Sequence, residues 1–307
     1  MVGGTSVGER AFKASNAVIM VVIMIVTIYP FWYAIISSLN GGMDLQRGPV
    51  FLWPRQFTWA SWKTVLADPA LIQASWITIS RTVIVTCISI LYTAMFAYAF
   101  SRPYIKGKKW YAALGITSMY FSGGLIPTFM LFNWLGLYDS YWVYILPSLF
   151  SGFWNVIILN ANYKGIPDAL YESAKLDGAS EYMMFFRIVL PLSKPVLAAL
   201  SVFSAVGIWN DYGTTLYFTQ SENLQTLQYM ILKLVQTSSA AEQMSNSVAL
   251  ANPGIAELLA RSQGQGLVTA KTIELASMVI ASIPMIIMYP FAQRFFAKGV
   301  LLGSIKG

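Results

Sequence analysis

The sequence predicts an all-α polytopic membrane protein, with six transmembrane helices and a charged cytoplasmic insert between spans four and five. Three observations carry this prediction. Of 307 residues, 56% are hydrophobic and only 11% are charged, where a soluble domain carries about 25% charged residues. Apolar runs of about 20 residues recur, long enough to cross a hydrocarbon core of ~30 Å as helices. Basic residues also fall unevenly between alternate connecting segments, as they do in membrane proteins. The formal net charge of +7 follows from that distribution and does not imply a nucleic-acid partner. The chain has no histidine and a single cysteine, Cys87, inside an apolar run. That excludes a disulfide within the chain and leaves no zinc or thiol-based site.

Residues 1–16 hold Arg10 and Lys13 ahead of the first apolar run and resemble the start of a signal peptide. The run is too long for one and no A-x-A-like cleavage site follows, so span one, residues 17–39, is read as uncleaved. Span two covers residues 77–100 and stops at Arg102, Lys106, Lys108 and Lys109. Span three, residues 111–135, is interrupted by Gly123, Gly124 and Pro127, which predict a kink or break able to act as a hinge. A short loop around Asp139 leads to span four, residues 141–161. The charged insert occupies residues 163–195. Span five covers 196–218, with Pro195 where a first helical turn tolerates proline. A polar loop follows at 219–270, with a short helix expected at 253–261. Span six covers 272–291 and ends the membrane domain of residues 17–291, leaving a tail at 292–307.

Orientation follows from the basic residues. With the N-terminus inside, the inner segments hold thirteen: Arg10, Lys13, Arg102, Lys106, Lys108, Lys109, Lys164, Lys175, Arg187, Lys194, Arg294, Lys298 and Lys306. The outer segments hold six, Arg47, Arg55, Lys63, Lys233, Arg261 and Lys271. Both termini and the insert are therefore expected in the cytoplasm, and the 219–270 loop outside. Aromatic residues near span ends, Tyr29, Phe31, Trp32, Tyr33, Trp110, Tyr111, Tyr141, Trp142 and Tyr144, read as rings at the membrane interfaces.

The insert reads as two short helices. Pro167 stands at a first helical position and Asp168 in a first turn, both favoured there. Good helix formers continue to Leu176, Lys175 suits the negative pole, and Gly178 supplies the left-handed stop. A second helix is expected over 180–189, ending at Pro191. Leu170 and Ala174 share a face, and Ala169 and Ser173 keep the adjoining one slim. Such a knob fits another protein's groove; an ordinary loop with solvated charges fits the same residues.

The run Glu172-Ser173-Ala174, then Asp177-Gly178-Ala179, then Ile188 and Leu190-Pro191, resembles the EAA motif of ABC-importer permeases. Ser173 stands where that family usually has a second alanine, a small-for-small exchange. The six spans and the tail from Ala292-Gln293-Arg294 to Ile305-Lys306-Gly307 resemble the carbohydrate-uptake, maltose-type family. FSGGLIPTF at residues 121–129 and Trp209-Asn210-Asp211 resemble its branch for complex or uronate-containing oligosaccharides. The resemblance implies a permease subunit in the bacterial inner membrane. It pairs with a second homologous permease, two ATP-binding subunits and an extracytoplasmic solute-binding protein, and passes an oligosaccharide by alternating access. The insert then docks on the ATPase, and the 219–270 loop reaches into the binding protein's cleft.

The chain has no ATP site of its own. Ala270-Lys271-Thr272 is the nearest imitation of a P-loop and lacks both glycines that let backbone N–H groups wrap phosphate. ATP and Mg are therefore expected on the partner subunits, with no cofactor on this chain. Polar groups within spans are candidates for the substrate route: Asn155, Asn160, Asn210 and Asp211, with Trp209 and Tyr212 as flat rings for sugar. The asparagines equally suit hydrogen bonding to a neighbouring helix. Arg81, in span two, reads as an interfacial residue without substrate contact. An ion-coupled secondary transporter is the alternative function, but no internal repeat and too few intramembrane acids support it. A membrane-embedded enzyme lacks a metal or nucleophile set.

Overall fold

The computed structural model describes residues 7–149, 152–251 and 266–304. Every regular element among them is a helix; the one strand-like contact is an antiparallel bridge between Asn40 and Phe57. α1 (Val7–Ser38) is followed by two short connecting helices, α2 (Gly42–Gln46) and α3 (Ala60–Ala67), and then by α4 (Pro69–Ser101). α5 (Lys108–Tyr120), α6 (Leu125–Trp134), α7 (Trp142–Leu149) and α8 (Phe153–Lys164) come next. The insert forms α9 (Asp168–Leu176), α10 (Glu181–Met184), a π turn over Phe185–Val189 and α11 (Leu190–Leu192). α12 (Lys194–Asn210), α13 (Gly213–Phe218), α14 (Leu227–Ala251) and α15 (Ala270–Ser304) complete the chain.

Among the described residues, three helices are long and apolar enough to cross a membrane: Ala11–Ser38, α4 and Ala270–Pro290. Three bent pairs bring the number to as many as six: α5 with α6, α7 with α8, and Glu181–Leu192 with α12. The expected interruption of span three is a sharp one, with α5 and α6 at 113° to each other. Gly124 at the joint has φ 84° and ψ 178°, a backbone region essentially reserved for glycine. Pro127 lies in the first turn of α6, where its missing N–H breaks no bond, so the break is made by the residues before it.

The described residues divide into two compact units, Met1–Asp68 with Ile231–Ser282, and Pro69–Met230 with Ile283–Gly307. In the second unit α4 is the axis, packing chiefly against α8 and α12 and then α7. Its small residues Ala94 and Ala97 are wholly buried and let neighbouring backbones approach, the usual device where lipid removes a hydrophobic drive between helices. They join Tyr98 and Phe100 of α4, Val156, Leu159 and Tyr163 of α8, and Leu197 and Leu200 of α12 in one core. Tyr171 of the insert, with Met184, Phe185 and Val189, enters the same core. In the first unit, the Ser61 hydroxyl donates to that of Thr272 at 2.9 Å, and Ser238 of α14 donates to Glu274 of α15.

The structure departs from the sequence expectations at three places. Helix takes the place of much of the expected polar loop: α14 buries Leu227, Ile231 and Ser238, while Lys233, Gln236 and Thr237 are exposed. The short helix expected at 253–261 and residues 305–307 of the tail lie outside the described residues. The second insert helix does not end at Pro191 but runs through it to Leu192. The widened turn just before it relieves the clash between the proline ring and the carbonyl four residues back. Span five breaks at Asp211, whose ψ of 114° is extended.

Gly115 of α5 faces Phe153 of α8 so closely that a Cβ there would stand 2.3 Å from the ring. Gly115→Ala is therefore expected to cost about 1–3 kcal/mol of stability through overpacking. Thermal melting of the purified protein checks this, and Phe153→Leu in the same chain should restore part of the loss.

Candidate functional site

The insert is built as the sequence suggests, one turn at a time. Pro167 is the N-cap residue and Asp168 the first helical one, a shift of one position from the expectation. Lys175 closes the last turn of α9. Gly178 has φ 76°, its N–H bonds the Lys175 carbonyl at 3.0 Å, and the Ala179 N–H reaches back to the Ala174 carbonyl at 2.9 Å. This is a Schellman closure, which satisfies the orphan carbonyls of the helix end. Ser180 then caps α10, its hydroxyl accepting from the Met183 N–H at 3.3 Å.

The faces differ from the sequence reading. Tyr171, 6% exposed, is the buried residue of α9, whereas Leu170 points outward. Ala174, Ala179, Ile188 and Leu190 are half-buried against the core. Glu172, Ser173, Asp177, Gly178 and Pro191 are exposed. Leu176, 89% exposed, stands beside them. The insert thus exposes its charged residues together with apolar ones, Leu170, Leu176, Tyr182 and Phe186 among them, and is seated in the core through Tyr171, Met184, Phe185 and Val189.

A cluster that sequence reasoning did not single out holds the seat. Arg102, just past the end of α4, is 8% exposed. Its guanidinium carbon lies 3.7 Å from the centroid of the Tyr171 ring and 4.3 Å from that of Tyr98. Glu181 is 3.8 Å from Arg102 and 3.9 Å from Lys175, and accepts a 2.6 Å hydrogen bond from the Tyr98 hydroxyl. Burial pushes the Tyr171 phenol up from its usual value, and the Arg102 cation opposes that shift. The hint available in the sequence was one basic residue directly after span two and an acid just past Gly178.

The second polar centre forms around Arg81. That residue turns into the protein: at 1% exposure it is among its most buried residues. It pairs with the Asp211 carboxylate at 3.2 Å and donates to the carbonyls of Ile208, at 2.8 Å, and of Asp211. A cation on the last carbonyls of α12 complements the helix dipole and satisfies groups that the break leaves free. Tyr144 lies under the guanidinium at 5.0 Å. Two of the aromatic residues at the start of span four are tied into the protein: Tyr141 donates to Ser80 at 2.8 Å, and the buried Tyr144 donates to the Leu224 carbonyl at 2.7 Å. Thr226, Thr215 and Tyr144 link their hydroxyls at 2.8 and 2.9 Å. Of the other pathway candidates, Trp209 is buried and so presents no free ring, whereas Asn210 and Tyr212 are exposed. Asn155 and Asn160 are half-buried on α8, and the Asn160 carbonyl oxygen makes no hydrogen bond among the described residues.

Asp139 was expected only to mark a loop. With φ 52° it takes the left-handed conformation that aspartate tolerates. Its carboxylate accepts from the Ser221 hydroxyl at 2.6 Å and from the N–H groups of Ser221 and Gln220, each at 2.8 Å. Those donors, the Ser221 hydroxyl first, hold the carboxyl below its usual range.

Comparison with known proteins agrees with this architecture. Residues 1–302 match the family described as binding-protein-dependent transport system inner membrane component. The chain is 37% identical over 303 residues to Protein LplC of Bacillus subtilis (strain 168), covering 97% of this chain and 96% of that one. It is 34% identical over 283 residues to the polygalacturonan/rhamnogalacturonan transport system permease protein YtcP of the same organism, covering 92% and 94%. Among solved structures, one chain of a bacterial ABC transporter involved in the import of the acidic polysaccharide alginate superposes with a TM-score of 0.81. That match has 28% identity and covers 96% of this chain and 100% of the other.

Two expectations follow. Arg81→Ala should lower the melting temperature and folded yield more than Asp211→Ala. The first uncaps both carbonyls and leaves a cavity, while the second leaves Arg81 its carbonyl partners; equal losses would show that the carboxylate alone matters. For Asp139 the folded pKa lies below the unfolded value of about 4. Its contribution is therefore full above that pH and lost as pH falls through the folded value. The melting-temperature gap between wild type and Asp139→Asn should stay constant from about pH 7 to 5 and narrow below about 4.

Proposed function

The chain belongs to the family of binding-protein-dependent transport system inner membrane components, and from that premise we propose that it is the permease subunit of an ATP-driven importer of uronate-containing oligosaccharides. The ion-coupled alternative has no support in that family. The observation that carries the mechanism is the insert. Its exposed face, Glu172, Ser173, Asp177 and Gly178, is turned away from a core in which Tyr171 is buried. Such a face needs an occupant outside the bundle, and the EAA-like residues make that occupant an ATP-binding subunit.

In this reading six spans cross the bacterial inner membrane with both termini and residues 163–195 in the cytoplasm. Residues 1–16 and 292–307 flank a membrane domain at 17–291. Two ATP-binding subunits hold ATP and Mg, and this chain binds neither. A second homologous permease completes the membrane pair. Closure of the ATPases draws the docking residues Glu172, Ser173, Ala174, Asp177, Gly178 and Ala179, supported by Ile188, Leu190 and Pro191, toward their counterparts. The bundle then opens outward, with the Gly123-Gly124 break ahead of Pro127 as a hinge. An extracytoplasmic solute-binding protein delivers the sugar, and the 219–270 segment with α14 reaches toward its cleft. Asn155, Asn160, Asn210 and Tyr212 hydrogen-bond or stack along the route, while buried Trp209 and the Arg81–Asp211 pair shape it. The acidic sugar class is supported by the named substrates of YtcP and of the alginate transporter.

Proteoliposomes holding the full complex, loaded with ATP and supplied with the binding protein, are expected to accumulate labelled oligogalacturonide. Uptake by this chain alone on an ion gradient would refute the reading. In the same assay Gly178→Val is expected to cut sugar delivered per ATP several-fold. A branched side chain at this φ costs about 1–2 kcal/mol even though nothing crowds the site. Gly178→Asn, which tolerates the left-handed region, should retain most coupling.

A further inference from the structure

The geometry points to Arg102 as the positioning residue through which movement of the insert is passed to the helix Pro69–Ser101. This inference rests on the importer reading above and adds to it a route: the docking residues drive span two directly, through one buried cation. The insert has two arms joined at Gly178, a joint closed by backbone hydrogen bonds, where even an added Cβ would meet no neighbour within 4 Å. Unsupported, the arms would flex at that joint and a push on Glu172–Asp177 would be absorbed there. Both arms instead end on the same guanidinium. Tyr171, from the arm before Gly178, lies with its ring centroid 3.7 Å from Arg102. Glu181, from the arm after it, lies 3.8 Å from Arg102. Tyr98, one turn back in α4, closes the set with its ring 4.3 Å from the cation and its hydroxyl on Glu181 at 2.6 Å.

The chemistry selects arginine. Two buried guanidinium nitrogens, Nε and one Nη, make no hydrogen bond among the described residues. The group is therefore held by ring faces and by charge. A flat, weakly hydrated cation suits that setting and a compact ammonium does not. Lys175, which also reaches Glu181 at 3.9 Å, is more than half exposed and contributes little by comparison. The Tyr171 hydroxyl is buried and makes no hydrogen bond of ordinary geometry among the described residues, so the ring is the working part of that side chain. Beyond Arg102 the path is solid: α4 packs along α8 and α12, and Tyr98, Tyr171, Leu159 and Leu197 share one core.

The test compares Arg102→Lys, Tyr171→Phe and Tyr171→Ala in the reconstituted complex, reading complex yield, ATP hydrolysis and sugar transported per ATP. Arg102→Lys is expected to assemble and hydrolyse ATP while sugar per ATP falls at least about fivefold. Tyr171→Phe should match wild type, and Tyr171→Ala should match Arg102→Lys. The inference is overturned if Arg102→Lys keeps its sugar per ATP within about twofold. It is equally overturned if yield falls and the ratio does not, because that pattern marks a merely structural anchor. Absence of ATP-dependent uptake by the wild-type complex would instead count against the importer reading, so the two failures are distinguishable.

Discussion

Lipid cannot hydrogen-bond a free N–H or carbonyl, so every interruption of a helix within an apolar run must be answered by the protein itself. This chain has several such interruptions, and three among the described residues show how they are met. At the α5–α6 break the Ser122 hydroxyl accepts the Gly124 N–H at 3.2 Å, and the Thr128 hydroxyl donates to the Gly124 carbonyl at 2.8 Å. At the α12–α13 break Arg81 covers the carbonyls of Ile208 and Asp211, and the Asp211 carboxylate accepts the Thr214 N–H at 3.2 Å. At Ser193, where the chain turns by 80°, the backbone closes its own bonds, to Val189 behind and from Leu197 ahead. The polar residues of the spans are thus first of all what makes broken helices possible. Their placement decides where the bundle is able to bend.

α4 unites these features. It carries Arg81 and leads directly into Arg102, two nearly inaccessible cations 21 positions apart. At 1.5 Å per residue that is about 30 Å, close to one hydrocarbon thickness. Arg81 grips the end of α12, and Arg102 the insert on both sides of Gly178. A single straight helix therefore registers the break in span five against the docking loop, through charge on its two flanks and small residues between them. Removing a charge partner at either end would leave a buried cation without its counter-ion, a cost that the carbonyls of Ile208 and Asp211 soften at Arg81.

Elements that depend on local composition were legible in the sequence. The apolar runs, the Gly123-Gly124 interruption, the start of α9 near Pro167 and its stop at Gly178 are each specified by a few neighbouring residues, and the structure has all of them. What was not legible depends on residues far apart in the chain. Arg81 meets Asp211 across 130 positions, and Tyr98 meets Glu181 across 83. Taken alone, Arg81 near a span end and Tyr144 at a span start look like interface residues, because single-residue statistics do not know which way a side chain turns. The loop reading of residues 219–270 failed for a related reason. Its average polarity is real, but Leu227 and Ile231 fall one turn apart, a helical spacing of apolar residues that average polarity hides.

The pairing of Asp211 also bears on what can pass. Within the proposed route, a lone carboxylate would repel an anionic sugar, by about 1 kcal/mol at 4 Å in bulk water and about 4 kcal/mol in the intermediate dielectric of a wet protein surface. A neutral residue would avoid that repulsion but would leave Arg81 buried with no counter-ion. The Arg81–Asp211 pair resolves both demands. It presents a partly exposed carboxylate whose charge is matched 3.2 Å away, while exposed Asn210 and Tyr212 on either side offer neutral hydrogen-bonding groups. An acidic oligosaccharide then meets a polar but electrically balanced surface at the break in span five. In a route for such a substrate, tight anion binding would slow release, and a balanced surface lets the sugar leave as readily as it enters.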